Sequence, residues 1–459
     1  MNPHIRNLSL LTMLLVTASF LPAADRVRLA EPAKSTRVVH TTGTASASGS
    51  SQTPQAQGKS VALKLGVKAN WDYREIRLPG TGRDAEAYRS LRKYDSAEAR
   101  IEVAEQITNP RLRRQTNLIV AEGRTDGMRY FSPLGPLNAQ ELELLDTPID
   151  ELALLSLLPD DPVEAGDKWK PSQWVMQFVS GVEAVDKSDI ACEVEKLDDK
   201  EARIKLTGSI SGGIVGAATE ITVDGYFLFD IKQQLVTKAE FSLKEKRSVS
   251  PVTTGLDISS TVSIHRSLDS GNALTQRDAE KYGTPPTEDQ LQILDEVPEW
   301  NIRWSHTRKW FLFHLNEKVA VMRLLDRGSL IAQCNIAPIA PAKAGEHMDE
   351  KQFQQDVEKA IGKDFRKVVL AEEVGTKDKR YLYRIVATGE TKQAVEGGTE
   401  KVIPLQWIYY LIASPTGQQV VVVFTLEPSQ TERFQNQDLS FALNLQFINT
   451  NLGSPTLNK

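Results

Sequence analysis

Histidines are the first candidates for chemistry, because they act as metal ligands and as general acids and bases near neutral pH. Four of the six lie in segments predicted to fold, namely His265, His306, His314 and His347. Only His306 and His314 could share one strand face, and zinc would need at least one further ligand there. The sequence contains no H-E-x-x-H motif. We therefore predict no metal site and no cofactor.

Nucleophiles and carboxylate pairs give little support for an enzyme. No G-x-S-x-G motif, which would present a serine nucleophile, occurs in the chain. The pairs Asp160-Asp161 and Asp198-Asp199 fall in predicted turns, where aspartate is favoured for its local hydrogen bonds. Two catalytic carboxylates need only meet in space. An extracytoplasmic hydrolase with its site at a domain interface therefore stays as an alternative.

Composition narrows the class of protein further. A chain of 459 residues has room for two or three domains. Its 55 basic and 60 acidic residues give a net charge of −5, whereas a nucleic-acid binder would carry a strongly basic face. Its two cysteines, Cys192 and Cys334, alternate with aliphatic residues in predicted strands. We expect both to be small buried hydrophobes rather than reactive thiols or a disulfide.

The N-terminal 24 residues have the pattern of a signal peptide. Arg6 supplies a positive charge, an apolar run extends from Leu8 to Leu21, and small residues follow. The run is shorter than the roughly 20 residues of a membrane-spanning helix. We predict an exported protein, periplasmic or extracellular, with no membrane span in the mature chain. Residues 25–59 are mostly small or polar and are predicted to form a disordered tether.

Residues 60–267 are dominated by alternation of apolar and polar residues, which predicts an antiparallel sheet with one buried face. Phe227 and Phe241 lie on the apolar faces of two such strands, and a further strand is expected at 173–179. Two short helices interrupt the strands at 139–158, the first capped by Asn138 and the second by Thr147. The second is apolar on nearly all sides and should be buried.

A curved antiparallel sheet with apolar helices against its concave face resembles the half-barrel architecture of the LolA/LppX lipoprotein carriers. The resemblance implies that the concave face holds acyl chains. Leu154 and Leu157 on the second helix, together with Phe227 and Phe241, are then the candidate apolar ligand surface. The alternative is that these side chains only fill a core.

Residues 268–299 are polar and predict a linker with one short helix, which Thr287 caps with Gln290 as its capping-box partner. Residues 300–450 then alternate strands with a helix at 350–361 and end in a helix at 430–448 that begins after Ser429. The paired strands 405–413 and 419–426 are apolar on both faces, which is typical of central strands. This order resembles the PsbP-like α/β/α sandwich, whose members have mostly accessory or assembly roles without catalysis.

Trp300, Trp304 and Trp310 open this second domain beside several basic residues. Tryptophan and arginine are enriched in binding hot spots, so the three rings are a candidate surface for a protein partner. The alternative is that the three rings pack the linker against the second domain.

The fold class predicted overall is α+β, with an N-terminal half-barrel-like sheet and a C-terminal α/β/α sandwich. The first functional hypothesis is an exported, non-enzymatic protein that binds a lipid-like ligand or a protein partner. The alternatives are the interface hydrolase and an envelope-assembly factor with no small ligand.

Overall fold

The computed structural model describes residues 26–32, 36–54, 60–250, 253–394 and 400–448. The predicted signal peptide, residues 1–24, lies outside the described residues. The predicted β-rich character is confirmed, because most of the described chain forms antiparallel sheet.

Thirteen strands build the first sheet. They are β1 (Val38–Pro54), β2 (Ser60–Arg77), β3 (Arg89–Val103), β4 (Gln106–Thr108), β5 (Leu118–Arg124), β6 (Gly127–Phe131), β7 (Lys168–Trp169), β8 (Ala184–Ser188), β9 (Ala191–Leu197), β10 (Glu201–Ile214), β11 (Ala217–Asp230), β12 (Leu235–Arg247) and β13 (Gly255–Asp269). Three helices lie between β6 and β8: α1 (Ala139–Leu145), α2 (Glu151–Leu155) and α3 (Gln173–Ser180).

The first sheet is a long meander that curves without closing. Its order is β6-β5-β3-β2-β1-β13-β12-β11-β10-β9-β7, with β4 beside β3 and β8 beside β10. The first and last strands therefore pair with each other at the centre of the sheet. The gap lies between β6 and β7, and the chain that joins these two strands carries α1 and α2 onto the concave face.

Strand β1 corrects the predicted tether of residues 25–59. It pairs along its length with β2 on one side and β13 on the other. Backbone hydrogen bonds to two neighbours stabilise a strand whatever its side chains are. The small side chains have a packing reason, because a Cβ at Gly43 would overlap the Trp71 indole. Composition alone therefore misled the prediction.

The predicted helices are partly confirmed. Asn138 caps α1 through a capping box with Glu141, as expected. The second helix begins later than predicted, because Asp150 rather than Thr147 accepts the capping hydrogen bond, from the Leu152 amide. The strand expected at 173–179 is wrong. This segment is α3, which ends at Gly181 in a left-handed conformation and contacts both β6 and β8 beside the gap in the sheet.

A buried ionic cluster attaches α2 to the sheet. Arg92 on β3 donates from Nη1 and Nη2 to the two carboxylate oxygens of Asp150, at 2.7 and 2.8 Å. The Trp71 indole donates to Glu151 at 3.0 Å. Burial alone would raise the pKa of Asp150, but the Arg92 charge and its hydrogen bonds lower it below its usual value.

The rest of the chain forms two smaller sheets. The three-stranded sheet, in the order β14-β15-β23, and the seven-stranded sheet, in the order β16-β17-β18-β22-β21-β20-β19, are antiparallel throughout. Their strands are β14 (Ile293–Val297), β15 (Ile302–His306), β16 (Trp310–Leu315), β17 (Ala320–Asp326), β18 (Ser329–Ile339), β19 (Phe365–Glu373), β20 (Tyr381–Ala394), β21 (Glu400–Ala413), β22 (Gln419–Leu426) and β23 (Gln446–Phe447). The helices are α4 (Gln276–Tyr282), α5 (Glu288–Leu291), α6 (Glu350–Ile361), α7 (Thr431–Phe434) and α8 (Gln437–Asn444).

Helix α6 matches the prediction for 350–361, and its Phe353 and Val357 pack on the seven-stranded sheet. The capping box of Thr287 and Gln290 is also confirmed, at α5. The helix predicted at 430–448 is wrong in extent. It is divided into α7 and α8 because Gln435 adopts a positive φ of 53°, and the chain then pairs as β23. Among the described residues, no helix is long and apolar enough to cross a bilayer.

Candidate functional site

The four residues predicted to form the apolar ligand surface lie in the packed core. Leu154, Leu157 and Phe227 are fully buried, and Phe241 is 3% exposed. They hold α2 and the segment after it against the sheet, as the core-filling alternative described. The prediction that they present a ligand surface is therefore corrected.

The three tryptophans are also core residues rather than an exposed partner surface. Trp304 is fully buried, Trp310 is 2% exposed and Trp300 is 9% exposed. Trp310 packs edge-on against Phe424, with ring centroids 5.8 Å apart. These rings fill the space between the small sheet and the seven-stranded sheet, so no partner can reach them in this state.

The concave face of the first sheet contains an inner cavity of about 460 Å3 instead. Its walls come from β10 to β13 on the sheet side, and from α3 and the segment that joins α1 to α2 on the other side. Aliphatic side chains line the sheet side of this cavity, including Leu206, Ile210, Ile221, Val223, Leu243 and Ile258. Apolar walls in a concave space of this size are typical of small-molecule sites, which span about 300–1,000 Å3.

A smaller cavity of about 190 Å3 lies on the other side of the same helical segment. It is bounded by β1 to β3, including Val67, Trp71 and Ile101, and by Leu144 of α1. The two cavities share the residues Ala47, Asp146, Thr147, Pro148 and Ser260. The turn at 146–148 therefore lies over a ridge of small side chains on the sheet, with an apolar space on each side.

Asp146 is the most perturbed acid of this shared segment. The residue is exposed to solvent, although many protein atoms lie around its carboxyl. Burial and the nearby charge of Asp150 raise its pKa to about 6, and Arg247 opposes the shift only in part. Burial likewise raises the pKa of Glu143 on α1. Acids perturbed in this way and placed in a cleft are typical of functional sites.

Three further polar groups face the same space. The Thr147 hydroxyl is buried and has no hydrogen-bond partner within the described part of the chain. Glu245 and Arg247 on β12 form an ion pair with 2.6 Å between Oε1 and Nη2. The larger cavity therefore combines aliphatic side chains with several charged groups, which are the acids Asp126, Asp146, Asp150, Glu183 and Glu245 and the cation Arg247.

The sheet extends beyond the helices that cover it. The side chains of Leu65, Val67 and Ile258 are half-buried, and Val61 is 38% exposed. At the other end of the same strands, Tyr73 and Ile264 are fully buried. One end of the concave face is thus an open apolar surface next to the cavities, through which a ligand could enter.

The opposite face of the same sheet carries a polar trough of about 790 Å3. Its floor is formed by Ser46, Ser48 and Thr261, and its walls carry Lys68 and Asp224. Because adjacent residues of a strand point to opposite faces, Ala47 lines both inner cavities and Ser48 lines only the trough, although Ala47 also borders the trough. The pair gives a matched control for experiments on the inner site.

The histidines do not come together. His306 is buried in the second part of the chain, with Nε2 3.0 Å from Asp295 Oδ2 and Nδ1 2.9 Å from the Thr307 carbonyl. His314 is exposed and its Nε2 lies 2.9 Å from the Asn316 amide nitrogen. Both ring nitrogens of His306 thus have partners within the protein. Among the described residues, no three His, Cys, Asp or Glu side chains are grouped to hold a metal ion.

The expectations for the cysteines and for one acidic pair are confirmed. Cys192 and Cys334 are free and buried, and burial raises the pKa of the Cys192 thiol to about 12, which keeps it protonated. Asp198 accepts hydrogen bonds from the Lys200 and Glu201 amides in the turn between β9 and β10.

Sequence reasoning missed Asp146 and Thr147 as site residues. Thr147 was interpreted as a helix cap, which explained its hydroxyl without a ligand. The signal that could have found them is the position of an acid and a hydroxyl directly before a helix that is apolar on nearly all sides and must be buried. A polar pair in such a place must either be hydrogen-bonded or face a cavity.

No protein-family model matches the chain, and no curated protein matches it in sequence. Lipovitellin, solved for its lipid–protein interactions, has a TM-score of 0.29 at 10% identity. That match covers 53% of this chain and 26% of lipovitellin, so this chain spans about a quarter of lipovitellin's length. OccD3 (OpdP) of Pseudomonas aeruginosa has a TM-score of 0.13 at 7% identity, over 88% of this chain and 93% of its own. OmpT, an outer membrane protein of Vibrio cholerae, has a TM-score of 0.11 at 7% identity, and the match covers 85% of this chain and 98% of OmpT. These TM-scores are too low to establish a common fold.

Proposed function

We propose that this is an exported, non-enzymatic protein that binds an apolar or amphipathic small molecule between the first sheet and its helices. The observation that carries the proposal is the inner cavity, which aliphatic side chains from four strands line beside a group of acids. A well-packed protein interior has few voids larger than a water molecule. A space of about 460 Å3 beside an open apolar face is therefore a feature to be explained by an occupant.

A binding role is favoured over a histidine-dependent hydrolase because no histidine of the described chain lines the cavity. The buried His306 and its Asp295 partner lie in the three-stranded sheet, away from the cavity. Export is supported by the pattern of the first 24 residues alone.

We further propose that the chain works as two domains of an α+β protein. The first would comprise the curved sheet with α1 to α3, and the second the two smaller sheets with α6 to α8. Their main hydrophobic clusters share no residue, which supports the division. The link between them includes the bridge of Leu137 to Ile293 and a hydrogen bond from Arg308 to the Tyr130 carbonyl.

The experiment that tests the binding function compares three forms of the full chain purified without detergent. Ala47→Phe places a ring at the residue that both cavities share, and Ser48→Phe places the same ring on the opposite face of the strand. Native mass spectrometry with organic extraction detects a retained ligand, and a fluorescent acyl probe measures affinity. We expect the wild type and Ser48→Phe to bind, and Ala47→Phe to lose most binding.

Loss of binding in Ser48→Phe but not in Ala47→Phe would place the ligand in the polar trough and overturn the proposal. Absence of both a retained mass and probe binding in the wild type would overturn it as well.

A protein partner is the second candidate function, and one observation favours it. The edge strand β16 of the seven-stranded sheet exposes Leu312, Phe313 and Leu315, each by 36% or more. Exposed apolar edge strands pair readily with other chains. Leu315→Lys should then abolish co-purification of a defined partner from the native source while leaving probe binding intact.

A further inference from the structure

We propose that the ligand of the inner cavity is an amphiphile with a cationic, hydrogen-bond-donating head group, such as an alkylammonium, which binds between Asp146 and Thr147. The apolar chain of this ligand would extend from there between the aliphatic walls. The inference rests on the proposed function and adds the chemical class of the ligand.

The first argument is the sign of the charge at the polar centre. Asp146, Glu143 and Glu245 face the cavities, and Arg247 is the one cation among the residues that line the larger cavity. Arg247 already pairs with Glu245 across 2.6 Å. An anionic head group would thus meet two acids without a free counter-charge. A cationic head group would instead be attracted by Asp146 and by the other acids that line the larger cavity.

The second argument is the hydrogen-bonding capacity of the same groups. An ammonium carries three donors and no acceptor, whereas a carboxylate ligand can only accept. The ionised Asp146 carboxylate can only accept hydrogen bonds, and the buried Thr147 hydroxyl has no partner within the described chain. The Ser260 hydroxyl lies on the facing sheet strand and lines both cavities. Arg247 Nε is a buried donor that also lacks a hydrogen-bond partner within the described chain. The acceptor oxygens of Asp146, Thr147 and Ser260 still outnumber it.

The third argument is position. Asp146 and Thr147 lie where the two cavities adjoin, rather than at an outer rim. A head group bound there reaches aliphatic side chains on both sides, and the solvent-exposed Asp146 carboxylate is open to it. A charge-assisted hydrogen bond is roughly twice as strong as one between neutral groups.

The test compares ligands with the same twelve-carbon chain and different head groups: dodecylammonium, dodecanol and dodecanoate. Their affinities for the full chain are measured by displacement of the acyl probe at pH 7.5, below micellar concentrations. We expect dodecylammonium to bind about tenfold more tightly than dodecanoate, which corresponds to about 1.4 kcal/mol. Dodecanol should lie between them, because it can donate but carries no charge.

Two variants assign the preference to residues. Asp146→Asn should lower the affinity for dodecylammonium about tenfold and leave the affinity for dodecanol unchanged, since only the charged head group loses its counter-ion. Thr147→Val removes the unpaired hydroxyl at almost constant volume. It should weaken the binding of both donor ligands, dodecylammonium and dodecanol. Asp199→Asn, on an exposed turn far from the cavity, is the control and should change none of the three affinities.

The outcomes separate the inference from the function on which it rests. If dodecanoate binds as tightly as dodecylammonium and Asp146→Asn changes neither, the head-group inference is wrong while the cavity still binds lipid chains. If none of the three ligands binds, the proposed function itself is wrong. Should Asp146→Asn fail to fold, the head-group series on wild type and Thr147→Val still decides between these outcomes.

Discussion

Asp146 is a residue whose charge opposes folding of the empty protein. Its pKa in the folded chain is raised to about 6, above the value of an exposed aspartate, so the folded state binds a proton more readily than the unfolded state does. Its favourable contribution is therefore complete at pH values below about 4 and is lost as the pH rises through about 6. A site that binds a cation would keep such a residue despite this cost.

The prediction is that Asp146→Asn stabilises the empty protein at pH 7.5 and not at pH 4. Because water in the cavity screens the carboxylate, we expect only about 1 kcal/mol. Denaturant unfolding at the two pH values measures the difference. An equal change at both pH values would show that packing rather than ionisation of Asp146 causes it.

The affinity for dodecylammonium should fall as the pH decreases through about 6, because protonation removes the counter-charge at Asp146. The other groups that face Asp146 are Glu143 on α1, Asp150 at the start of α2, and Glu245 and Arg247 on β12. Dodecanol serves as the reference, since its affinity should not follow this titration. A parallel decrease for dodecanol would point to loss of the cavity itself.

Arg92 illustrates the opposite case, a buried charge that the fold compensates. Arg92→Ala would leave Asp150 and the nearby Glu75 and Glu151 buried without it, and we expect a loss of about 3–5 kcal/mol in the free energy of unfolding. Arg100→Ala on the same strand removes an exposed ion pair with Glu102 and should cost less than about 1 kcal/mol. Denaturant titration of both variants gives the comparison, and similar losses would refute the role of the buried cluster.

At the scale of elements, the sequence predicts strands best where one face of the strand is buried and the other is exposed to solvent. Strand β12 begins and ends as the alternation predicts, and α6 follows from its cap and apolar stripe. Strand β1 does not show this pattern, because backbone hydrogen bonds to β2 and β13 stabilise it although its side chains are mostly small and polar. Helix α3 was predicted as a strand because its apolar residues, in a segment of eight, fit either period.

Strand β1 gives a prediction that separates a central strand from a tether. Thr44 lies opposite Ser263 on β13 and Asn70 on β2. Thr44→Pro should cost about 3 kcal/mol or more, because proline cannot donate a backbone hydrogen bond and does not fit a central strand. Thr44→Val keeps the backbone amide and should be tolerated. Equal stability of the proline variant would restore the tether interpretation.

For the whole molecule, the sequence predicts a β-rich chain and the concave, helix-covered face, but not the location of the cavity on it. The side chains selected from the sequence were the largest apolar ones, Phe227 and Phe241 among them, and large apolar side chains are the ones that fill a core. A cavity is instead bounded by medium-sized and small residues that leave space. Which positions leave space depends on how the helical segment lies against the sheet at Ala47 and Ser260, which both cavities share, and this is a property of the assembled domain.

The pairing of β1 with β13 also determines the order in which the first sheet can form. All the strands from β2 to β12 lie between these two partners along the chain, so the pair closes a loop of more than two hundred residues. At a synthesis rate of about 5–20 residues per second, β1 has one unpaired edge for on the order of ten seconds or more. Contacts so distant in sequence slow folding. The serine-rich, weakly apolar composition of β1 then protects the nascent chain, because an edge with few apolar side chains recruits other chains poorly while it waits for its partner.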